Sequence, residues 1–573
     1  MVSAMEPTGR TQSRTLALLV LIVTVAFALR WAPAQRMLPQ LPEPDAFQVL
    51  HAQEWKNDPA LVRHWEYAQR YPQLLTRILS VFPVREPQAH LTGAERLDDA
   101  LECAAAPYQR ARIVVLLLSL LALPLTWLVA RRFTGPNGAL IATWLIATSL
   151  LHALFSTQGR PHGVHLTAAL FAVWSALRLV ERATVARTAL AVIAAATAMA
   201  TLQNGVFTLA PLALALWFTP GSRLRRAAAA VALPLVAAAL AFTLYPVLPT
   251  IDSSGIHLGG ALSHNVFFRD FTFRGVFVAA RWFFGHDPIM CVLFLVGLAW
   301  SVPWLFKHGR ELVSGRRALV AVVLAYVGPY SLLMLISEDV YERFLLPLLP
   351  WCAILALQPL TTFVEQRART SRPSVAARLI TAAIALVLMM PLAVAARFAW
   401  VSAQPDTLQQ AADWLVREAG TEPIVVTPGL TLPLLSSPSA LASGRGDSTF
   451  ESRVWFAWQL AHPSESGGFD LFGIPGTVAG SRPGHEEIDA WLAARAPRYV
   501  VFEVSRKMTM LPALNYLREW SAARGAVVHR SDGPVPERIE LGLADYQSIE
   551  QFAVRIFGMR AFGPEIEIWR IAR

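Results

Sequence analysis

The sequence predicts a polytopic α-helical membrane protein of about eleven spans that ends in a small α/β domain. Composition is the first reason. Of 573 residues, 54% are hydrophobic and 16% charged, and the mean hydropathy is +0.43, whereas soluble domains carry about 25% charged residues. So little charge cannot cover a soluble surface of this size, and so much apolar content does not stay disordered. A second reason is the succession of apolar runs near the roughly 20 residues that cross a bilayer, with arginines gathered in every second connection. The third is a change of character after residue 396, where long apolar runs give way to short alternating helix and strand patterns.

In chain order the spans are expected at about 15–31, 112–130, 137–155, 163–180, 187–202, 205–219, 227–247, 287–305, 318–336, 343–363 and 377–396. Arg10 and Arg14 precede the first, and Arg131 and Arg132 follow the second. Arg178, Arg182 and Arg187 lie between the fourth and fifth, and Arg223, Arg225 and Arg226 follow the sixth. Lys307, Arg310, Arg316 and Arg317 follow the eighth, and Arg367, Arg369, Arg372 and Arg378 follow the tenth. Cytoplasmic loops retain Lys and Arg, so the unbroken alternation predicts a cytoplasmic N-terminus and a multi-pass protein of the inner (plasma) membrane. The first span also resembles a signal peptide, with Ala32-Pro33-Ala34 after it. Its apolar core is long for that role, and the next loop faces outward in either case.

Three long segments then fall outside: 32–111, 248–286 and everything after 397. The first, with Trp55, Trp65, Tyr67, Tyr71 and Phe82 broken by prolines, reads as short helices along the membrane surface. The second interleaves aromatic rings with arginines, among them Arg269, Arg274 and Arg281, a pattern suited to the headgroup layer. The third reads as a soluble extracytoplasmic domain covering 397–573, against a membrane domain of 1–396. Asp406 is expected to cap a helix carrying Leu408, Ala411, Ala412 and Leu415, ahead of a strand at Ile424. A helix near 485–494, a strand at Tyr499, a helix near 512–523 and strands near Ala526 and Ile566 follow. The Ser-, Gly- and Pro-rich stretch 436–448 reads as a mobile loop. No GxGxxG opens any of these helices, so no dinucleotide site is inferred. Cys103, Cys291 and Cys352 form no CxxC pair and suggest neither a disulfide framework nor a zinc site.

Candidate chemistry lies at the outer ends of the spans. Asp45 follows Pro44 at the start of an amphipathic stretch, and its local sequence fits a helix N-cap as well as an acid with work to do. Arg160 runs against the charge bias of a short external connection. His162 and His165, three apart, can face one partner, a hydrogen-bonding group or a divalent metal. Glu338, Asp339, Tyr341 and Arg343 bring acids and a cation to the outer boundary, where ionisable groups are costly to bury; a solvated salt bridge at a helix end is the plainer role for them.

Taken in order, these pieces resemble the C-type glycosyltransferases, and within them family 39, which includes protein O-mannosyltransferases and lipid A aminoarabinose transferases. The features are Asp45 in the first external loop, Tyr71-Pro72-Gln-Leu-Leu, Arg160-Pro161 entering a helix, Arg343-Phe-Leu-Leu-Pro-Leu-Leu-Pro and the tail beginning Ala411-Ala-Asp-Trp-Leu. Three positions depart from the group's pattern. Ala46 follows Asp45 where an Asp-Glu pair is common, His162 stands where an Asp is common, and Gln203 or Asn204 replaces a lysine.

The resemblance implies transfer of a sugar from a polyprenyl-phosphate carrier to a lipid, glycan or protein acceptor on the outer face. It places Asp45 at the position of the base. Arg160, Arg343, Arg269 and Arg274, with Tyr71, His162, His165, Glu338, Asp339 and Tyr341, would then surround the donor, the arginines holding its phosphate. A single displacement with one base inverts the anomeric centre. No cofactor is fixed by the sequence; a divalent metal is the one to consider. A lipid-linked sugar transporter and a non-catalytic envelope scaffold are the alternatives, although no internal repeat of the kind common in transporters is visible.

The predicted cytoplasmic segments hold 18 basic residues and four acidic ones, leaving 32 basic and 36 acidic residues elsewhere. The net charge of +10 is thus a topology signal and gives no reason to expect a nucleic-acid partner.

Overall fold

A computed structural model describes residues 9–40, 71–245 apart from 84, 89–90 and 92, 272–308, 314–359 apart from 338–339, 375–462 apart from 452, 468–474, 485–504, 512–531 and 551–572, with short pieces within 49–57 and 250–257. The chain forms two compact units. One comprises Met1–Ala34, Phe47–Phe82 and Ala111–Ala396; the other comprises Gln35–Ala46, Pro83–Arg110 and Arg397–Arg573.

The first unit is helical, and each expected span overlaps one or two helices. Gly9–Trp31 is followed by Gly93–Leu120, Ala122–Thr148, Leu150–Ser156, Pro161–Glu181, Val185–Thr201, Leu209–Trp217, Arg223–Phe242, Pro288–His308, Ser314–Ile336, Leu349–Ala356 and Val375–Ser402. Among the described residues, six helical stretches are long and apolar enough to cross a membrane. The chain is a polytopic α-helical membrane protein.

Three spans are less regular than their hydropathy suggests. Gly135 (φ 72°) followed by Pro136 breaks the backbone between the expected spans 112–130 and 137–155. Ser149 is extended and caps Leu150–Ser156, accepting from the His152 amide, which interrupts the span expected at 137–155. The spans expected at 205–219 and 343–363 begin as 3₁₀ turns, Gln203–Thr208 and Glu342–Leu348. The first loop also differs from expectation. Residues from Gly93 do not lie in short separate helices but form the start of the long helix Gly93–Leu120.

Helix packing relies on small side chains, which let backbones approach where the apolar effect supplies no drive between helices. Ala168 and Ala172 of Pro161–Glu181 meet Ala194 and Ala198 of Val185–Thr201. A Cβ on Gly163 would stand 2.5 Å from Ser119 Oγ and 3.0 Å from the Phe155 carbonyl. Thr167 adds a hydrogen bond to the Leu118 carbonyl (2.9 Å).

The connections sort onto two ends. Arg132 pairs with Glu181 at 2.6 Å, joining the ends of the second and fourth spans, both predicted to lie on one side. Arg187 donates to the Arg178 carbonyl (2.8 Å) at that same end. Arg131 lies 4.7 Å over Trp127, Arg178 5.5 Å over Trp174 and Arg226 5.4 Å over Trp217. Arginine beside tryptophan suits a headgroup layer, with the ring at the apolar boundary and the guanidinium reaching into water.

The second unit is α/β. Its sheet runs β4-β3-β5-β7-β6, with β3 (Ile424–Val426), β4 (Leu471–Gly473), β5 (Tyr499–Val504), β6 (Gly525–Arg530) and β7 (Glu565–Ile571). β4, β3 and β5 are parallel; β7 is antiparallel to both β5 and β6. β1 (Thr250–Asp252) and β2 (Gly255–His257) form a separate antiparallel pair in the first unit. Val425, Val500 and Phe502 of the sheet pack on Ile488 and Leu492 of helix His485–Ala493 and on Leu517 of helix Pro512–Arg524. Asp406 caps Thr407–Glu418 as expected, accepting from the Gln409 amide at 2.9 Å, while burial pushes its carboxyl up to about 6.

The stretch expected to be a mobile loop instead contains helix Pro438–Gly444. Ser437 caps it, Pro438 supplies the fixed φ of the first turn, and Asp470 accepts from Ser437 Oγ (2.6 Å) and Ser439 Oγ (3.2 Å).

Candidate functional site

At the end of the first unit opposite the Arg–Trp pairs, polar side chains turn inward. Arg160 is extended just before Pro161, which sits in the first turn of Pro161–Glu181. A proline there adopts helical φ readily and lacks an amide that would have no partner. Gln158, Arg160, His162 and His165 are all buried, Arg160 to 4% exposure and His165 to 1%. Arg160 donates to Gln158 Oε1 at 3.4 Å. His162 stands between Tyr71, ring centroids 6.3 Å apart and edge-on, and Phe155 at 6.1 Å. Arg160, Arg343 and His165 all lie close enough to His162 for their charges to act on it.

Tyr71 comes from the first external segment. The next residues fasten it, because Gln73 donates its amide to the Leu244 carbonyl (2.8 Å) at the end of the seventh span. Arg343 opens the 3₁₀ turn Glu342–Leu348, and its guanidinium lies 4.2 Å over Tyr341 and 5.3 Å over Phe344. Tyr330 Oη fixes that turn by donating to the Phe344 carbonyl at 2.9 Å. Glu342 beside it is 1% exposed.

Two cations and two imidazoles therefore gather where four predicted external connections meet. Among the described residues, neither His162 Nδ1 nor Gln158 Nε2 has a hydrogen-bond partner, while the His165 ring lies against the Ala198 backbone. Polar atoms buried in this way are rare in folded proteins and mark places that water or a ligand completes.

Of the other sequence candidates, Arg274 is exposed at the start of Gly275–His286. It is held near the end of Ser314–Ile336 because Phe273 donates to the Ile336 carbonyl (3.1 Å). Tyr341 is exposed and its ring carries the Arg343 guanidinium. Asp45, Arg269, Glu338 and Asp339 lie outside the described residues. No cluster of three or more metal-ligand side chains occurs among the described residues. Among the described residues the two imidazoles have no carboxylate beside them to complete an oxygen-rich cation site.

A second buried network was not anticipated. Arg30, at the end of the first helix and fully buried, donates to Ser156 Oγ (3.1 Å), to the Ala147 carbonyl (2.8 Å) and to the Ala26 carbonyl (2.9 Å), and meets His152 Nδ1 at 2.9 Å. Nearby, Asp287 accepts from Ser149 Oγ (2.7 Å) and the Leu150 amide (2.8 Å). This network holds Leu150–Ser156, the segment that leads into Arg160. Its signal in the sequence was a charge inside or at the start of an apolar run, at Arg30 and Asp287.

No family model matches the chain, and no curated protein matches it in sequence. Solved structures are similar to it. The oligosaccharyltransferase of Archaeoglobus fulgidus in the apo form is 12% identical over 85% of this chain and 69% of that one, with a TM-score of 0.46. ArnT from Cupriavidus metallidurans in the apo state is 15% identical over 89% of this chain and 96% of that one, also at 0.46. The same protein bound to undecaprenyl phosphate is 14% identical over the same shares, at 0.41. At these values the likeness assigns no residue a role.

Proposed function

We propose that the protein is a membrane glycosyltransferase that moves a sugar from a polyprenyl-phosphate carrier to an acceptor at the outer face of the membrane. The observation that carries this reading is the grouping of buried Arg160, His162 and His165 with half-buried Arg343 at the apolar helix ends. Guanidinium groups at such a boundary favour an anion, and the phosphate that joins a sugar to a prenyl chain supplies both the anion and an apolar tail. Guanidinium groups bind phosphate through paired N–H donors. The exposed apolar side chains of the surrounding helices suit the prenyl chain.

In the proposed reaction an acceptor hydroxyl oxygen bonds to the anomeric carbon as the bond from that carbon to the phosphate oxygen breaks. The electron pair leaves with the phosphate, where Arg160 and Arg343 stabilise the added charge. The acceptor proton passes to a carboxylate, assigned to Asp45 on the family resemblance. One displacement inverts the anomeric centre.

The test is turnover by purified protein in nanodiscs, given radiolabelled polyprenyl-phosphate sugars and a mixture of envelope lipids and glycans. Transfer of label that disappears in Asp45→Asn, with that variant still folded, is the expected result. Full activity in Asp45→Asn overturns the base assignment, and movement of label across the bilayer without transfer favours a transporter.

A further inference from the structure

The last membrane helix, Val375–Ser402, runs past the end of its expected span at 396, and the second unit takes up the chain at Arg397. Leu386, Met390, Ala393, Arg397 and Trp400 recur every three or four residues and so share one stripe of this helix. Leu386, Met390 and Trp400 are exposed, so the apolar stripe of the span continues to the tryptophan. Phe398 and Val401 face the other way and are fully buried. Arg397 stands two turns beyond Met390, about 10 Å along the axis, and its guanidinium lies 4.2 Å over the Trp400 ring. The same pairing occurs at Trp127, Trp174 and Trp217, and it suits a headgroup layer.

Arg397 also fixes what stands beside it. It donates to the carbonyls of Ile556 (3.2 Å), Phe557 (3.5 Å) and Met559, all within the second unit. These carbonyls lie in the turn that follows the short helix Phe552–Arg555. The inner face of that segment is anchored by Phe552, edge-on to Phe398 with centroids 5.8 Å apart, and by buried Ala553, Ile556 and Met559. With this face turned inward, Val554 and Phe557 point outward, 69% and 53% exposed. Among the described residues of the unit, the exposed large apolar side chains are Trp400, Val416, Val528, Val554 and Phe557. Three of these five belong to the helix end and the turn that Arg397 joins, whereas an ordinary soluble surface scatters such side chains singly. Arg555 and Arg560 flank the apolar pair, and residues 551–560 include no acid.

We propose that this turn is a lipid anchor of the α/β unit: Val554 and Phe557 enter the leaflet at the exit of the last span, and Arg555 and Arg560 meet the phosphates of anionic phospholipids. Continuity with the span carries the assignment. The turn is hydrogen-bonded to the first residue beyond the expected span, so its exposed pair stands at the level where the apolar stripe of the helix reaches Trp400. An aromatic and an aliphatic side chain flanked by arginines is the composition of an interfacial anchor. Charge then selects the lipid, because basic residues at a membrane surface draw anionic headgroups. A soluble protein bound at this level would have to displace those headgroups. The inference is independent of sugar transfer and of the side of the membrane on which the unit lies.

The experiment uses the full chain in nanodiscs of phosphatidylcholine alone or mixed with phosphatidylglycerol. Phospholipids carrying a diazirine near the top of one acyl chain are photolysed, and the adducts are mapped by mass spectrometry. In the wild-type protein, adducts are expected on Val554 or Phe557 as well as on Leu386 and Met390, which serve as the internal standard. Labelling of the turn should be about threefold or more higher in the anionic discs, and Arg555→Gln combined with Arg560→Gln should remove that difference. Phe557→Ser, a change at an exposed position, should lower the yield at the turn without altering the melting temperature in detergent. Labelling of Leu386 and Met390 with none at the turn overturns the inference, and this result needs no variant to fold. Equal labelling of the turn in the two kinds of disc overturns the assignment to anionic lipid. Crosslinks from the turn to a second copy of the chain or to another protein, in place of lipid adducts, also overturn it.

Discussion

The two ends of the membrane unit use the same side chain in opposite ways. At one end arginines lie over tryptophan rings, and Arg131, Arg182, Arg223 and Arg225 are exposed. At the other, Arg30 and Arg160 are buried among helix ends, and Arg343 sits half-buried between two aromatic rings. An exposed arginine near a headgroup layer keeps its hydration and records orientation. A buried one has lost that hydration, and what it touches in exchange is informative. Arg30 is answered by protein groups, two carbonyls from its surroundings, a hydroxyl and an imidazole. Arg160 donates to a neutral amide oxygen, Gln158 Oε1, at 3.4 Å and shares its surroundings with His162 and Arg343. Under the function proposed above, Arg30 is architecture and Arg160 with Arg343 is the place for the donor's anion.

The largest effect that separates these readings is on turnover. Arg160→Ala and Arg343→Ala are each expected to lower the transfer rate by about a hundredfold to a thousandfold, the usual cost of removing one group that stabilises developing charge. Melting temperatures should change little. Lysine at either position should recover only part of the rate, because an ammonium lacks the paired donors. Wild-type rates in both alanine variants would erase the distinction between the two kinds of buried arginine.

Arg30→Ala should show the converse, a loss of stability of about 3 kcal/mol as His152 and Ser156 lose their buried partner. The measurement is thermal unfolding in detergent. Any fall in rate should track the folded fraction. A stable Arg30→Ala protein with no activity would instead move Arg30 into the phosphate site.

The reason the sequence foretold some of this and not the rest lies in the kind of signal each part leaves. Spans and their phase are written in runs of apolar residues and in arginine spacing, and the Arg132–Glu181 contact joins two connections that the phase put together. Strands such as Tyr499–Val504 and the Asp406 cap follow local rules of pattern and capping. Arg160, His162 and His165 stood out because they oppose the charge bias of their connection. Arg30 was taken as the tail of a span, since its partners are more than a hundred residues away in sequence. The helix at Pro438–Gly444 was read as loop because its Ser, Pro and Gly content hid a Ser-Pro helix start whose anchor, Asp470, is equally remote.

Between the two arginine classes lies the packing that brings them into place. Gly163 follows His162 and faces Ser119 and Phe155 with no room for a Cβ. Gly163→Val is expected to cost about 1–3 kcal/mol from overpacking, seen as a lower melting temperature, and to reduce turnover by displacing the two histidines. Ser119→Ala added to it should restore part of both, since it removes the nearest atom. A fully active Gly163→Val would mean that the histidines do not depend on this close approach.

The smallest effects belong to the exposed end. Arg131→Ala and Arg226→Ala, singly, should alter stability by about 0.5 kcal/mol or less, the range of weak cation–π contacts at exposed sites, and leave the transfer rate within about twofold, since that range is less than one tenfold step in rate. Their role is collective, so removing Arg131, Arg132, Arg178, Arg182 and Arg187 together should scramble orientation, read by cysteine labelling at engineered positions in the flanking connections. An arginine whose single loss abolished transfer from this end would show that distance from the buried cluster does not divide the two roles. Burial by itself would then no longer separate arginines that orient the protein from arginines that bind its substrate.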